Sequence, residues 1–208
     1  MKFSRNILKD DLDFEETVLV HGTSIETVLA LLKKGRLEKE SFTSKKLRTS
    51  EEDYLFFMPT TEHFQRREHP LFLRIQKLKY FGDTLAEAET YAKDCAFEHY
   101  LTSQLGEKPY VHLGDYDLDY VFDRYLRQAR GKGFSEAKAR DMVREALKRK
   151  GVLLGIDEKI FELKIEPAFD EKDEVCICLP EGLDGKYVSG VLPLGKIEKK
   201  LLEEFFER

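Results

Sequence analysis

The chain of 208 residues contains no tryptophan, one asparagine (Asn6), four glutamines and three cysteines. No stretch approaches the roughly 18 uninterrupted apolar residues that a spanning helix needs, and Met1-Lys2-Phe3-Ser4-Arg5 leads into no signal-peptide core. A soluble, cytoplasmic protein is therefore expected. Cys95, Cys176 and Cys178 are odd in number and lack C-x-x-C spacing, which argues against both a disulfide framework and a zinc ribbon. They read as small buried hydrophobes. His63 and His112 have no second ligand at useful spacing, so no metal is expected. An excess of positive charge is missing too: 35 basic residues stand against 40 acidic ones, a net charge of −5, whereas phosphate backbones reward positive surface. The shortage of amides beside abundant Lys and Glu is a trait of proteins from hot environments.

What is present is a charged fraction of 36% beside 41% hydrophobic residues, against about 25% charged in ordinary soluble domains. That composition excludes a membrane protein and a disordered chain, and the length suits one well-buried core. Five acidic residues within 10–16 precede Val18-Leu19-Val20, a short apolar run that reads as a strand. After His21-Gly22 comes Thr23-Ser24-Ile25-Glu26, a capping box with Thr23 as the cap. The helix it opens places Ile25, Val28, Leu29 and Leu32 on one face, and Gly35 is suited to close it.

Residues 36–50 are polar and basic and read as loop, while Tyr54-Leu55-Phe56-Phe57-Met58 reads as a strand ended by Pro59. A second strand-to-helix unit follows, residues 71–81 and then Thr84-Leu85-Ala86-Glu87, with Leu85, Ala88, Ala92, Cys95, Ala96 and Tyr100 in helical period. Tyr110-Val111-His112-Leu113 is a brief apolar run, residues 115–125 are aromatic and acidic, and Ser135 caps a helix with Met142, Val143, Ala146 and Leu147 inward. Beyond Gly151, strands are expected at 152–156, 160–165, 175–179 and 188–194, separated by turn signals. The charged amphipathic stretch 196–208 reads as a surface helix covering a sheet edge.

Three features carry chemistry. His21-Gly22-Thr23 lies between a strand and a helix, where glycine leaves room for a ligand at the backbone and the helix start offers unpaired N–H donors. Tyr80-Phe81-Gly82-Asp83 leads into a helix that carries Tyr91 eleven residues after Tyr80, about three helical turns, and two rings so placed can sandwich a flat heterocycle. Glu174 opens the strand Glu174-Val175-Cys176-Ile177-Cys178-Leu179.

His-Gly-Thr, then Tyr-Phe-x-Asp with a second Tyr at +11, then Glu opening a late strand resembles the ADP-ribosyltransferase superfamily, and within it the His-Tyr-Glu branch that includes diphtheria toxin and the poly(ADP-ribose) polymerases. The resemblance covers about half of the chain. It implies an α+β fold, a split β-sandwich of two facing antiparallel-rich sheets with flanking helices and a helical insertion. Residues 1–208 would form one domain, with insertions near 36–79 and 106–150. The implied activity is transfer of ADP-ribose from NAD, as co-substrate, to a protein or nucleic-acid acceptor. His21 would hydrogen-bond a ribose of NAD, the Gly22 backbone would hold the nicotinamide carboxamide beside Thr23, Tyr80 and Tyr91 would stack around the nicotinamide ring, and Glu174 would stabilise positive charge on its ribose.

His21 and Tyr80 lie 59 residues apart, wider than the family usually has. Either residues 36–79 contain an insertion, or the second strand is 54–58 with Tyr54 or Phe57 in the tyrosine role; Tyr110 is a third candidate. Tyr80 alone carries both the Asp at +3 and the Tyr at +11. Two further readings stay open: an RNA 2′-phosphotransferase-like enzyme, which uses NAD but relies on basic residues at the phosphate, and a non-catalytic module that binds NAD, ADP-ribose or a nucleic-acid end. Residues 124–150 hold ten basic and three acidic side chains, +7 against −12 over the remainder. Beside the cleft, this basic arm would favour a nucleic-acid contact.

Overall fold

The computed structural model describes residues 3–12, 17–38, 54–59, 84–109, 117–163, 165–167, 175–179 and 181–208. The strands are β1 (Thr17–Thr23), β2 (Arg36–Leu37), β3 (Tyr54–Pro59), β4 (Val152–Asp157), β5 (Ile165–Pro167), β6 (Val175–Cys178), β7 (Leu183–Asp184) and β8 (Val188–Pro193). The helices are α1 (Ile25–Lys34), α2 (Thr84–Leu105), α3 (Leu118–Gly131), α4 (Glu136–Leu147) and α5 (Lys196–Glu207). The chain is thus of mixed α+β class. Six strands form one sheet in the order β5-β6-β3-β1-β4-β8, and β2 pairs with β7 in a second, two-stranded sheet. All of these strand pairs are antiparallel.

Side chains alternate across β1 and β4 and so divide the interior. One face carries Leu19, Val152, Leu154 and Ile156, packed with Val28, Leu31 and Leu32 of α1 and Leu202 of α5. The opposite face carries Val20 and Leu153 against Ala88 and Ala92 of α2. A third cluster joins Phe97 and Leu101 of α2 to Val121 and Tyr125 of α3 and Met142 and Val143 of α4. Fully burying a side chain of this size stabilises the fold by about 1.5–3 kcal/mol, so each helix is held by the apolar stripe its sequence spells.

Several local expectations change. Thr23 does not cap α1: it is the last residue of β1, opposite Val152, and its extended backbone stays in the ladder. The cap is Ser24, whose Oγ accepts the Thr27 N–H at 3.3 Å. The aromatic, acidic segment after residue 115 enters α3, whose N-cap Asp117 accepts the Tyr120 N–H at 2.8 Å. Its helical period includes Gln128, a buried polar residue that donates to the Lys108 carbonyl and to Glu107. The strand expected from 160 is instead a 3-10 turn, Glu158–Glu162, followed by β5. The outer edge of β8 is met by the N-terminal segment, where Leu8 bridges Val191 and the Lys9 N–H donates to the Val191 carbonyl. α5 packs instead on the face shared with α1.

Candidate functional site

β1 is flanked by β4 along its whole length, Thr17 opposite Asp157 through Thr23 opposite Val152. Its other neighbour reaches less far: β3 registers only with Leu19 and Val20, through Pro59 and Met58. The rest of β3, Tyr54 to Phe57, pairs with β6. Among the described residues, β1 and β3 are thus in register through two residue pairs. His21, Gly22 and Thr23 lie past that point with β4 as their ladder partner among the described strands.

α2 crosses β1 at the same level. A β carbon on Gly22 would fall against the carbonyl oxygen of Ala88 and 2.8 Å from the Ala92 nitrogen. The room read from the sequence at this glycine is filled, on that face, by a helix backbone. Gly151, with φ of 78°, continues the seam, since a β carbon there would meet the Ala92 carbonyl and lie 2.8 Å from the Thr23 carbonyl oxygen. Alternation places His21 on the face opposite Gly22, toward α1. Tyr91 stands on α2 beside Ala92 and is 47% exposed. His21 thus lies on one face of β1, and Tyr91 belongs to the helix that crosses the other.

Tyr80, Tyr110 and Glu174 lie outside the described residues. The described strand that pairs with β1 on this side is 54–59, the position of the alternative reading that puts Tyr54 or Phe57 in the tyrosine role. Glu174 immediately precedes Val175, the first residue of β6, which registers with Phe57. Phe57 adjoins Met58, the partner of Val20.

Sequence reasoning missed two contacts made by α2. His99 of α2 places Nδ1 3.3 Å from the Oγ of Ser24, and the Arg149 guanidinium lies 5.1 Å above the Tyr100 ring. Both depend on how α2 docks across the sheet, for which no local pattern exists. Among the described residues no three His, Cys, Asp or Glu side chains stand together as a metal site, and no helix is long and apolar enough to cross a membrane. Comparison with protein-family models, with curated proteins and with solved structures finds no match.

Proposed function

We propose that this protein is an NAD-dependent ADP-ribosyltransferase acting at the end of β1. The observation that supports the reading is the position of His21-Gly22-Thr23 as the last three residues of β1, directly before α1, with Glu174 immediately before β6, two strands away in the same sheet. An amide ligand such as the nicotinamide carboxamide is held by backbone groups, and a helix start supplies N–H donors. β6, whose first residue follows Glu174, lies two strand spacings from β1, about 10 Å. That span suits a ligand held at its amide end by β1 and met at its ribose from the β6 side. Tyr91 offers an exposed ring on the helix that crosses Gly22, and the finer fold would be the split β-sandwich that the resemblance implies.

The chemistry asks little of the protein beyond charge placement. When the bond between nicotinamide and ribose breaks, nicotinamide leaves neutral with the bonding pair and the sugar carbon becomes cationic. A carboxylate about 4 Å from that cation contributes roughly 4 kcal/mol at an effective dielectric near 20, about a thousandfold in rate. The acceptor's nucleophilic atom then bonds to the sugar carbon and loses its proton to solvent or to the carboxylate. Because the charge exists only as the bond breaks, this interaction lowers the barrier and does not merely tighten binding. Nicotinamide release from NAD tests the reading. Glu174→Gln is expected to lower the rate by about a thousandfold with an unchanged melting curve; a wild-type rate in that variant overturns the assignment of Glu174. Indifference at Glu174 together with loss on replacing basic residues would favour the 2′-phosphotransferase-like reading.

A further inference from the structure

α2 carries a row of small residues on one face. Ala88, Ala92 and Ala96 are buried and recur every four residues, the spacing of side chains that lie above one another on a helix. His99 follows three residues after Ala96 and continues the row. The first two members meet Gly22, where a β carbon would fall against the Ala88 carbonyl oxygen and the Ala92 nitrogen. His99 meets Ser24, with Nδ1 3.3 Å from Oγ. The end of β1 is thus held on α2 at two points, by backbone contact at Gly22 and by a side-chain hydrogen bond at Ser24. Thr23 lies between the two points on one element, and Tyr91 on the other.

Ser24 is 1% exposed, whereas His99 is exposed, so the imidazole reaches a buried hydroxyl from the surface. That hydroxyl accepts the Thr27 N–H at 3.3 Å and lies 3.1 Å from Thr27 Oγ1. Both of these contacts stay within the first turn of α1 and serve as its cap. The contact with His99 spans 75 positions of sequence and joins two helices. Either tautomer of the ring completes it, since Nδ1 can accept the serine proton or donate to Oγ. A helix cap needs no such partner. What the imidazole adds is a fixed placement of the β1–α1 junction relative to α2, the helix that carries Tyr91.

We propose that His99 is a positioning residue of the dinucleotide site: through Ser24 it locks the His21-Gly22-Thr23 backbone and the Tyr91 helix into the one arrangement that holds the nicotinamide end of NAD. The inference deepens the reading of this site given above and rests on it for the identity of the ligand, though not for turnover. One net hydrogen bond favours the locked arrangement by about two- to twelvefold. A ligand that needs that arrangement loses affinity by up to the same factor when the bond is removed. ADP-ribose lacks the nicotinamide and is indifferent to the lock.

Titration calorimetry of the full chain with NAD and, separately, with ADP-ribose tests this role. His99→Ala is expected to weaken NAD about fivefold and to leave ADP-ribose unchanged. His99→Asn places an amide where Nδ1 stood and should restore NAD to within twofold, whereas the amide of His99→Gln falls at the Nε2 position and should not. In a Ser24→Ala background His99→Ala should cause no further loss; thermal melting confirms that each variant folds. Unchanged NAD affinity in His99→Ala, equal losses for NAD and ADP-ribose, or failure of His99→Asn to restore binding overturns the positioning role. Wild-type protein that binds NAD without releasing nicotinamide overturns the transferase reading and keeps the role of His99. Release in wild type with NAD affinity unmoved in His99→Ala does the reverse, and a folded wild type that binds neither ligand overturns both.

Discussion

The carboxylate of Glu198, in the first turn of α5, accepts the backbone N–H of Lys150, 48 residues earlier, at 3.0 Å. Its second oxygen is buried and has no hydrogen-bond partner among the described residues. One carboxylate thus pins the C-terminal helix to the turn that sets Gly151 under α2. Removing it in Glu198→Ala orphans a buried N–H and is expected to cost about 1–3 kcal/mol, read as a lower urea midpoint. Glu198→Gln keeps an acceptor oxygen and should recover most of that loss. Equal losses in the two variants would assign the effect to charge instead.

Gly22 and Gly151 set how closely α2 approaches the sheet. Gly22→Ala drives a β carbon into the Ala88 carbonyl, and overpacking of this kind costs about 1–3 kcal/mol. Gly151→Ala should cost more, because its φ of 78° adds about 1–2 kcal/mol of left-handed strain to a similar clash. Gly131, at the end of α3, has nothing within 4 Å of its added carbon and should tolerate alanine or gain stability. Chemical denaturation of the three variants checks the order.

Asp10 and Lys199, 2.8 Å apart, tie the N-terminal segment to α5. The hydrogen bond and charge of Lys199 hold the Asp10 carboxyl below its ordinary 3.8, and Asp10 in turn raises Lys199 above 10.5. The carboxylate's contribution is complete above pH 3.8 and fades as pH falls through its depressed value. The ammonium's contribution is complete below pH 10.5 and fades as pH rises through its raised value. Between those limits the pair is pH-independent. Hydrogen exchange at the Lys9 amide, which is bonded to Val191, is expected to lose protection at the acidic limit first in wild type and to show no such step in Lys199→Ala.

Cys95 lies within α2, and burial, helped by Glu98 and Asp94, pushes its thiol up to about 12. Since the thiolate is the reactive species, a Cys176→Ser/Cys178→Ser variant should resist a thiol reagent at pH 8 and label at once in denaturant. Rapid labelling of the folded variant would contradict this.

The parts of the fold written in local periodicity were legible. Val18-Leu19-Val20 is β-structure, the stripe Ile25, Val28, Leu32 is buried in α1, Gly35 ends that helix in the left-handed conformation, and Ser135 caps α4. The segment 152–157 is a strand between β1 and β8. What was not legible depended on partners distant in sequence. Thr23 and Ser24 are both good caps, and only the register with Val152 decides between them. Gly22 reads equally as a place for a ligand or for a helix until Ala88 and Ala92 are seen against it. α3 was obscured because one of its inward positions is Gln128, a polar residue satisfied by Lys108 and Glu107. Of the candidate site, the position of His21-Gly22-Thr23 at a strand end followed from sequence; the register of β1 with β3 through Leu19–Pro59 and Val20–Met58 did not, since register between strands is set by the whole sheet.

Among the described strands, the register between β1 and β3 runs through Leu19–Pro59 and Val20–Met58, whereas β1, β4 and β8 share long ladders and an interior common to α1 and α5. Opening energies follow contiguous contacts, so in hydrogen exchange the amides of β6 are expected to exchange before those of β4.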